Sequence, residues 1–244
     1  GDASVEDVGL AIAFAANCMG NNNVTVSFPT HDDKVVSALA KTSVGVKEAT
    51  VGDIQKSACT IAVGDPFAIC PVIAGSVLAA KSASRKNSLN VISQTQNMTS
   101  RFASIHVAGS VRKSMVDLIG AVIKERGGPK ERWEKPFADR ANGTGHVLQL
   151  AGRFIQSPES AVVVATSDPV VAQLANALVR VAGDTKSLYS LHEYGNVRDI
   201  METFAPDVST EKVIELADRG ELDVLIVLGA DLVSSYPGLD VSAS

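Results

Sequence analysis

The stretch ACTIAVGDP at residues 58–66 contains the pattern that decides the fold, and AVVVATSDP at residues 161–169 repeats it. In each, a run of small and β-branched apolar residues ends in a short loop, and an Asp–Pro pair follows. Apolar runs of this length without alternation are typical of strands buried on both faces of a parallel sheet. Asp as a cap and Pro in the first turn are ordinary chemistry for a helix that starts next. The pattern therefore predicts β-strands that are each followed by a helix.

The same alternation extends over most of the chain. Runs rich in Val and Ile predict strands at Val24–Phe28, Cys59–Val63, Leu89–Ser93, Ala161–Thr166, Ser187–Leu191 and Asp223–Leu228. Apolar residues at spacings of three and four predict helices at Val5–Met19, Asp32–Ser43, Val72–Lys86, Val111–Glu125, Gly145–Gln156, Pro169–Val181 and Thr210–Arg219. This order implies right-handed crossovers between parallel strands. We expect an α/β fold with two successive Rossmann-like open parallel sheets flanked by helices.

A polar stretch divides the predicted elements into two groups. Arg126-Gly127-Gly128-Pro129 marks its beginning, and the residues that follow carry few apolar side chains. Apolar strands recur on both sides of it, with helices available to cover each set. We therefore predict a first α/β unit at residues 1–127, a connector at 128–143 and a second α/β unit at 144–244.

The bulk composition excludes several classes of function. The formal net charge is -5 and basic residues are scattered, which argues against a nucleic-acid partner, because phosphates need a concentrated basic face. No apolar run approaches the roughly 20 residues that span a bilayer, so direct membrane insertion is not expected. Cys18, Cys59 and Cys70 show no paired spacing, which favours free thiols in a reducing, cytoplasmic environment.

Sequence motifs for catalysis or metal binding are lacking. The chain contains no GxGxxG, GxxxxGK, GxSxG or HExxH motif. The four His lie in separate segments without an acidic or Cys partner at ligand spacing. No catalytic residue and no metal ligand is predicted, and this chain alone is not expected to be catalytic.

The loops at the carboxyl ends of the predicted strands are the candidate binding surface, because ligands of open parallel sheets bind there. Small residues let backbone N–H groups approach a ligand, and helix N-termini favour an anionic group. The candidate binding residues are Gly64, Asp65, Pro66, Thr166, Ser167, Gly229 and Ala230. Asp65 and Asp168 also have a simpler interpretation as helix caps. Replacing Gly64 and Gly229 with Val is expected to abolish binding and to leave the fold intact.

Three segments carry a resemblance to a known family. They are residues 58–66 with Cys70-Pro71-Val72, then Leu89–Ile92 with Arg101–Val107, and finally Leu191–Val197 with Gly220–Asp231. In this order, with Thr144-Gly145 before a helix, they resemble the molybdopterin oxidoreductases. That family includes formate dehydrogenase-like chains and the large iron–sulfur subunit of NADH-quinone oxidoreductase. The resemblance covers Glu48 to Pro237.

The resemblance implies a component or scaffold of an electron-transfer or dehydrogenase complex, with other subunits of a redox complex as partners. Two departures imply that the chain has no redox centre of its own. Ser93-Gln94-Thr95 stands where the family has an Asp-Pro-Arg-like loop, and Ala108–Val111 lacks the acid that pairs with guanine. No cofactor is expected in this chain, although the family's cofactor is molybdopterin guanine dinucleotide. The alternatives are a fragment that binds this cofactor in a formate dehydrogenase-like enzyme, or a stand-alone binder of a nucleotide-like ligand.

Overall fold

The structure, a computed structural model, describes residues 4–20, 23–26, 32–140, 143, 145–192, 197–204 and 210–228. The chain divides into two compact units, which are described separately below. One consists of Gly1–Val36 together with Glu193–Ser244, and the other is Ser37–His192. We call them the terminal unit and the central unit.

The regular elements of the described residues alternate as expected for an α/β chain. The strands are β1 (Lys47–Glu48), β2 (Cys59–Gly64), β3 (Ser88–Ser93), β4 (Ile105–Ala108), β5 (Ser160–Ala165) and β6 (Lys186–Leu191). The helices are α1 (Val5–Cys18), α2 (Asp32–Thr42), α3 (Val51–Lys56), α4 (Pro66–Ile69), α5 (Pro71–Ala83), α6 (Val111–Glu125), α7 (Lys135–Arg140), α8 (Gly145–Gln156), α9 (Pro169–Ala182), α10 (Val197–Phe204) and α11 (Thr210–Asp218). Two 3-10 turns lie at Thr99–Phe102 and Arg132–Glu134.

The central unit is built on one parallel sheet. Its strand order among the described residues is β1-β6-β5-β2-β3-β4, and every neighbouring pair runs parallel. The chain builds outward from β2 to β3 and β4, and then returns to add β5 on the other side of β2. The switch in direction therefore falls between β2 and β5, which places their carboxyl ends side by side.

Both faces of this sheet are buried, which explains the unbroken apolar runs. Ile61, Val63 and Val162 face a cluster completed by α6, α8 and α9, including Leu118, Phe154 and Leu178. Ala62 and Val163 face the opposite cluster, which contains Ile54, Phe67, Ile73 and Val77 from α3, α4 and α5. Since successive residues of a strand point to opposite faces, a strand covered on both sides favours apolar residues at both odd and even positions.

The terminal unit has a smaller core. Val8 of α1, Val36 and Ile200 of α10 are buried together, with Ile12 and Phe204 packed against them. Helix α1 begins with a capping box, in which Ser4 Oγ accepts from Asp7 N and Asp7 accepts from Ser4 N at 2.9 Å. This pair satisfies N–H groups that the first helical turn would otherwise leave without partners.

The predicted α/β class with a parallel sheet between helices is confirmed, and the division into two sheets is corrected. β5 and β6 pair onto β2 across the predicted connector at 128–143, with Cys59 opposite Ser160. Without β5, the buried β2 would be an edge strand with unpaired backbone groups. The compact units consequently do not follow the division into 1–127, 128–143 and 144–244.

Some predicted strands also differ. Val24–Val26 and Asp223–Leu228 form no strand, and Ser27 and Phe28 lie outside the described residues. The short edge strands β1 and β4 were not predicted. None of the helices in the described ranges is both long and apolar enough to cross a membrane.

Candidate functional site

The candidate strand-end site lies where β2 and β5 finish next to each other. Gly64 and Ala165 are register partners at the last position of these strands. The structure therefore brings Gly64, Asp65 and Pro66 alongside Thr166 and Ser167, as the topology rule for ligand sites requires. Gly229 and Ala230, the other two predicted binding residues, lie outside the described residues.

Gly64 is required by the contact between the two strands. Its φ is +85°, and a Cβ atom built on it would lie 2.0 Å from the carbonyl oxygen of Ala165. Its own carbonyl accepts a hydrogen bond from Asn97 Nδ2 at 2.9 Å. A side chain at this position therefore displaces backbone, and the expectation that Gly64→Val leaves the fold intact is wrong.

Asp65 is engaged by backbone from the neighbouring loop. Its carboxylate accepts from Met98 N at 3.1 Å, from Thr99 N at 3.0 Å and from the Thr99 hydroxyl at 2.5 Å. It makes no side-chain cap bond in α4, where Pro66 is buried in the first turn. Asp65 is thus a cap, but of the 3-10 turn Thr99–Phe102 rather than of the helix that follows it in sequence.

Asp168 has the capping role that its sequence position predicts. Its Oδ1 accepts from Val170 N at 2.9 Å at the start of α9, and its other oxygen accepts from Arg112 Nε at 2.5 Å. The hydrogen bond from Arg112 is the largest influence that holds the pKa of Asp168 below its usual range. Thr166 Oγ1 accepts from Asp168 N at 3.0 Å, while Ser167 is exposed.

Ser93, the last residue of β3, meets His106, the second residue of the neighbouring strand β4. Ser93 Oγ donates to Thr95 O at 2.8 Å and lies 2.9 Å from His106 Nε2. Which of these two atoms donates depends on the tautomer of His106. Sequence reasoning missed the pair because it depends on the register of β4.

The strand-end site therefore offers hydroxyl, amide and backbone groups that are mostly bonded to one another. Across the described ranges, no three His, Cys, Asp or Glu side chains come close enough to hold a metal ion. The chemistry available at the edge is contact with a ligand through Ser167 and the loop backbone.

Two surface grooves were not predicted from the sequence. A groove of about 740 Å³ lies in the terminal unit, lined by α1, α11 and residues 222–228. A second, of about 480 Å³, lies in the central unit between α6, α7 and α9. The first had a signal in the sequence, because α1 is apolar almost all round, and such a helix is usually buried on every side.

Comparison with known proteins gives a likeness of fold. The sequence matches no family model, and no curated protein is similar to it. Among solved structures, it is similar to a chain of the formyltransferase/hydrolase complex (FhcABCD) from Methylorubrum extorquens, determined in complex with methylofuran. The TM-score is 0.54 and the sequence identity 16%, over 78% of this chain and 50% of that one. The chain thus spans about half the length of the chain it matches, and at this identity the likeness concerns the fold alone.

These findings correct the family assignment made from sequence. The similar structure belongs to a formyltransferase/hydrolase complex and not to a molybdopterin oxidoreductase, so the predicted family is wrong. The predicted role as an oxidoreductase component, with a redox complex as partner, is overturned by the same finding. The motifs behind it, such as the apolar strand with Gly64-Asp65-Pro66, are explained by the geometry of β2, its close contact with β5 and the helix start that follows.

Proposed function

We propose that this chain is a subunit of a multi-subunit assembly, and that its terminal unit docks on another polypeptide. The observation that carries the proposal is the large apolar groove of that unit. Single exposed apolar side chains are normal on a protein surface, whereas a contiguous patch of them marks an interaction site.

The groove has two exposed apolar walls. One is the outer side of α1, where Leu10 is 70% and Phe14 is 52% exposed. The other is the run Val224–Leu228, whose five side chains are between 43% and 68% exposed. Both walls belong to the terminal unit and line the same groove. Covering such side chains releases on the order of 25 cal/mol for each Å² of apolar surface removed from water.

The run Val224–Leu228 indicates the kind of partner. Five consecutive large apolar residues, mostly β-branched, are the pattern of a strand that is buried on both faces. The described residues of the terminal unit include no strand, so residues 222–228 have no strand partner within that unit. An added strand would pair with this backbone and cover its side chains at once. The proposed occupant is therefore an apolar β-strand of a different polypeptide.

The structural comparison supports this proposal in one respect. The similar chain belongs to a multi-subunit complex, so this fold occurs in a subunit of such a complex. The cytoplasmic location predicted from the sequence is part of the proposal, and Cys18, Cys59 and Cys70 are all free thiols. The binding role of Gly64, Asp65, Pro66, Thr166 and Ser167 at the strand ends remains a prediction beside it.

Site-specific photo-crosslinking in the source cells tests the docking surface. A photo-reactive residue is placed at Leu10 or at Ile226, and at Val72 as a control. Val72 is 69% exposed on α5 of the central unit, outside the groove. We expect Leu10 and Ile226 to give the same discrete adduct with one other chain, and Val72 to give none.

A charged side chain introduced into the groove should prevent docking without affecting the folding of the chain. Ile226→Asp should remove the adduct formed at Leu10 and change the free energy of unfolding of the isolated chain by less than about 0.5 kcal/mol, because Ile226 is half exposed. Val72→Asp should leave the adduct in place. An adduct of twice the chain's own mass would identify a second copy as the occupant, and the proposed hetero-partner would then be wrong.

A further inference from the structure

The groove between α6, α7 and α9 combines an apolar floor with a basic rim. Val116 of α6, Phe137 of α7 and Leu174 of α9 form the floor, and each is only partly buried. Phe137 is held in place by Trp133, whose ring meets it edge-on with centroids 6.1 Å apart. The floor is therefore a formed surface that exposes apolar area to solvent in the free chain.

Three cations stand around this floor, namely Arg112, Lys113 and Arg140. Arg112 forms an ion pair with Asp168, and this contact holds the Arg112 side chain at one wall of the groove. Lys113 and Arg140 are exposed, and within the described part of the chain neither forms an ion pair. The groove contains one acid, Asp117. With Arg112 paired to Asp168, Lys113 and Arg140 stand against this one acid, so the rim keeps a surplus of positive charge in a chain whose net charge is -5.

We propose that this groove binds a small molecule with an anionic head group and a flat apolar body. The cations at the rim recognise the anion, and the floor of Val116, Phe137 and Leu174 covers the body. The volume of about 480 Å³ falls within the range of small-molecule pockets. Nine residues line it, whereas a stable protein interface uses roughly 20–30 residues on each side. A small molecule therefore fits these dimensions better than a partner protein does.

The first turns of α6 and α9 are both capped by side chains. Ser110 Oγ accepts from Lys113 N at the beginning of α6, and Asp168 caps α9. The anion would meet side-chain cations instead. Such contacts are partly exposed, so binding should weaken as ionic strength rises.

The probe is 1-naphthyl phosphate, titrated into the full chain labelled for amide NMR. Inorganic phosphate has only its anionic group, and 1-naphthol has only its aromatic ring system, so these two compounds are the controls. We expect saturable shifts at the amides of residues 112–117, 137–140 and 170–174, and an affinity at least about tenfold above that of either half. Lys113→Ala combined with Arg140→Ala should weaken binding roughly five- to tenfold, the scale of two exposed charge contacts.

Matched variants test whether binding depends on the cations of this groove or on any positive charge at the protein surface. Arg85→Ala with Lys86→Ala removes two exposed cations after α5 and should leave the affinity unchanged. Val170→Asp, at a position 41% exposed on the groove, should weaken binding without loss of the circular dichroism spectrum. Equal effects of the two double variants, or no saturable shift, would overturn the proposal. If a Glu-rich peptide with a central Phe shifts these amides while 1-naphthyl phosphate does not, the groove takes a polypeptide and the small-molecule assignment is wrong.

Discussion

Gly64 and Ala165 approach each other so closely at the ends of β2 and β5 that no Cβ atom fits between them. The two residues are register partners, and a Cβ on Gly64 would lie 2.0 Å from the Ala165 carbonyl oxygen. The contact lies at the switch point of the sheet, where strands added in opposite directions meet. It couples the packing of the central unit to the shape of the candidate strand-end site.

Gly64→Ala should destabilise the chain strongly. The methyl group meets backbone that cannot move aside without shifting β5, and φ of +85° disfavours an L side chain. Overpacking typically costs about 1–3 kcal/mol, and the positive φ adds about 1 kcal/mol. Urea unfolding at constant m-value measures the loss.

Gly75→Ala is the matched control for the same chemical change. Gly75 is exposed within α5, and a Cβ there has nothing within 4 Å. Because Ala is a better helix former than Gly, this variant should be more stable by about 0.5–1 kcal/mol. Similar unfolding midpoints for the two variants would contradict the contact at Ala165.

Asp168 should contribute stability that disappears in acid. The hydrogen bond from Arg112 lowers the pKa of Asp168, so the folded chain releases this proton more readily than the unfolded chain. The contribution is therefore present above the unfolded pKa of about 3.9 and is lost as the pH falls through the lowered folded pKa. Asp168→Asn keeps the cap and removes the charge. Since Arg112 is 61% exposed, we expect a difference below about 1 kcal/mol at pH 5 to 6.

Urea midpoints from pH 6 to pH 2.5 measure this difference. The gap between the wild type and Asp168→Asn should close as the pH falls. Asp139→Asn removes an exposed carboxylate on α7 and serves as the control for the loss of one negative charge. A constant gap for Asp168→Asn would mean that the charge of Asp168 has no part in stability.

The local elements of the fold could be predicted to the residue where packing and periodicity agree. Helices α6 and α8 begin and end where the spacing of apolar residues predicts. The pairing of β2 with β5 could not be predicted, because a local pattern does not state which strand lies next to which. Val224–Leu228 has the composition of a buried strand and yet no strand partner among the described residues, so composition alone assigned it wrongly.

The sequence could predict that residues 64–66 and 166–167 each follow a strand, but not that these strands are neighbours or which groups the side chains contact. The Asp-Pro pattern correctly indicated a cap at Asp168, because the cap and its helix are adjacent in sequence. The same pattern at Asp65 indicated the wrong helix, since its carboxylate caps a turn that is more than thirty residues away. Contacts of this kind depend on tertiary packing. The groove between α6, α7 and α9 was missed for the same reason, because its walls come from three separate segments.

The buried ion pair of Arg126 and Glu134 should tie the polar stretch after α6 to that helix. Glu134 is 2% exposed and accepts from Arg126 Nη2, from Lys130 N at 2.6 Å and from Glu131 N at 3.2 Å. Burial raises the pKa of Glu134, but the hydrogen bonds from Arg126 and the two N–H groups outweigh it, and the net pKa lies below its ordinary value. Arg126→Met leaves a buried carboxylate without its cation and should cost about 3 kcal/mol or more.

A double-variant cycle tests the coupling of this pair. Glu134→Gln keeps an acceptor for the two N–H groups, so Arg126→Met combined with Glu134→Gln should cost less than the sum of the single changes. The interaction energy should lie between about 0.5 and 3 kcal/mol. Additive losses within about 0.3 kcal/mol would show that the two side chains act independently.

Lys186 should make the stability of the central unit rise in mild alkali. The side chain is 2% exposed, and its Nζ donates to Ser157 O at 2.5 Å and lies 5.5 Å from the centre of the Phe154 ring. Burial lowers the pKa of Lys186, so the folded chain loses this proton at a lower pH than the unfolded chain. Between the lowered pKa and the ordinary value near 10.5, the unfolded chain binds more protons, and raising the pH favours the folded chain.

Lys186→Met removes this titration and provides the comparison. Burial raises the pKa of Cys59, which works in the opposite direction, and Lys186 and Cys59 influence each other's pKa. Both profiles are therefore measured in a Cys59→Ala background, in which their difference reports Lys186. Urea unfolding from pH 7.5 to pH 10.5 should show the chain with Lys186 gaining stability on the variant. The gain cannot exceed about 1.4 kcal/mol for each pH unit, the value for one proton. Parallel profiles would show that Lys186 keeps an ordinary pKa in the fold and that its burial costs the folded chain little.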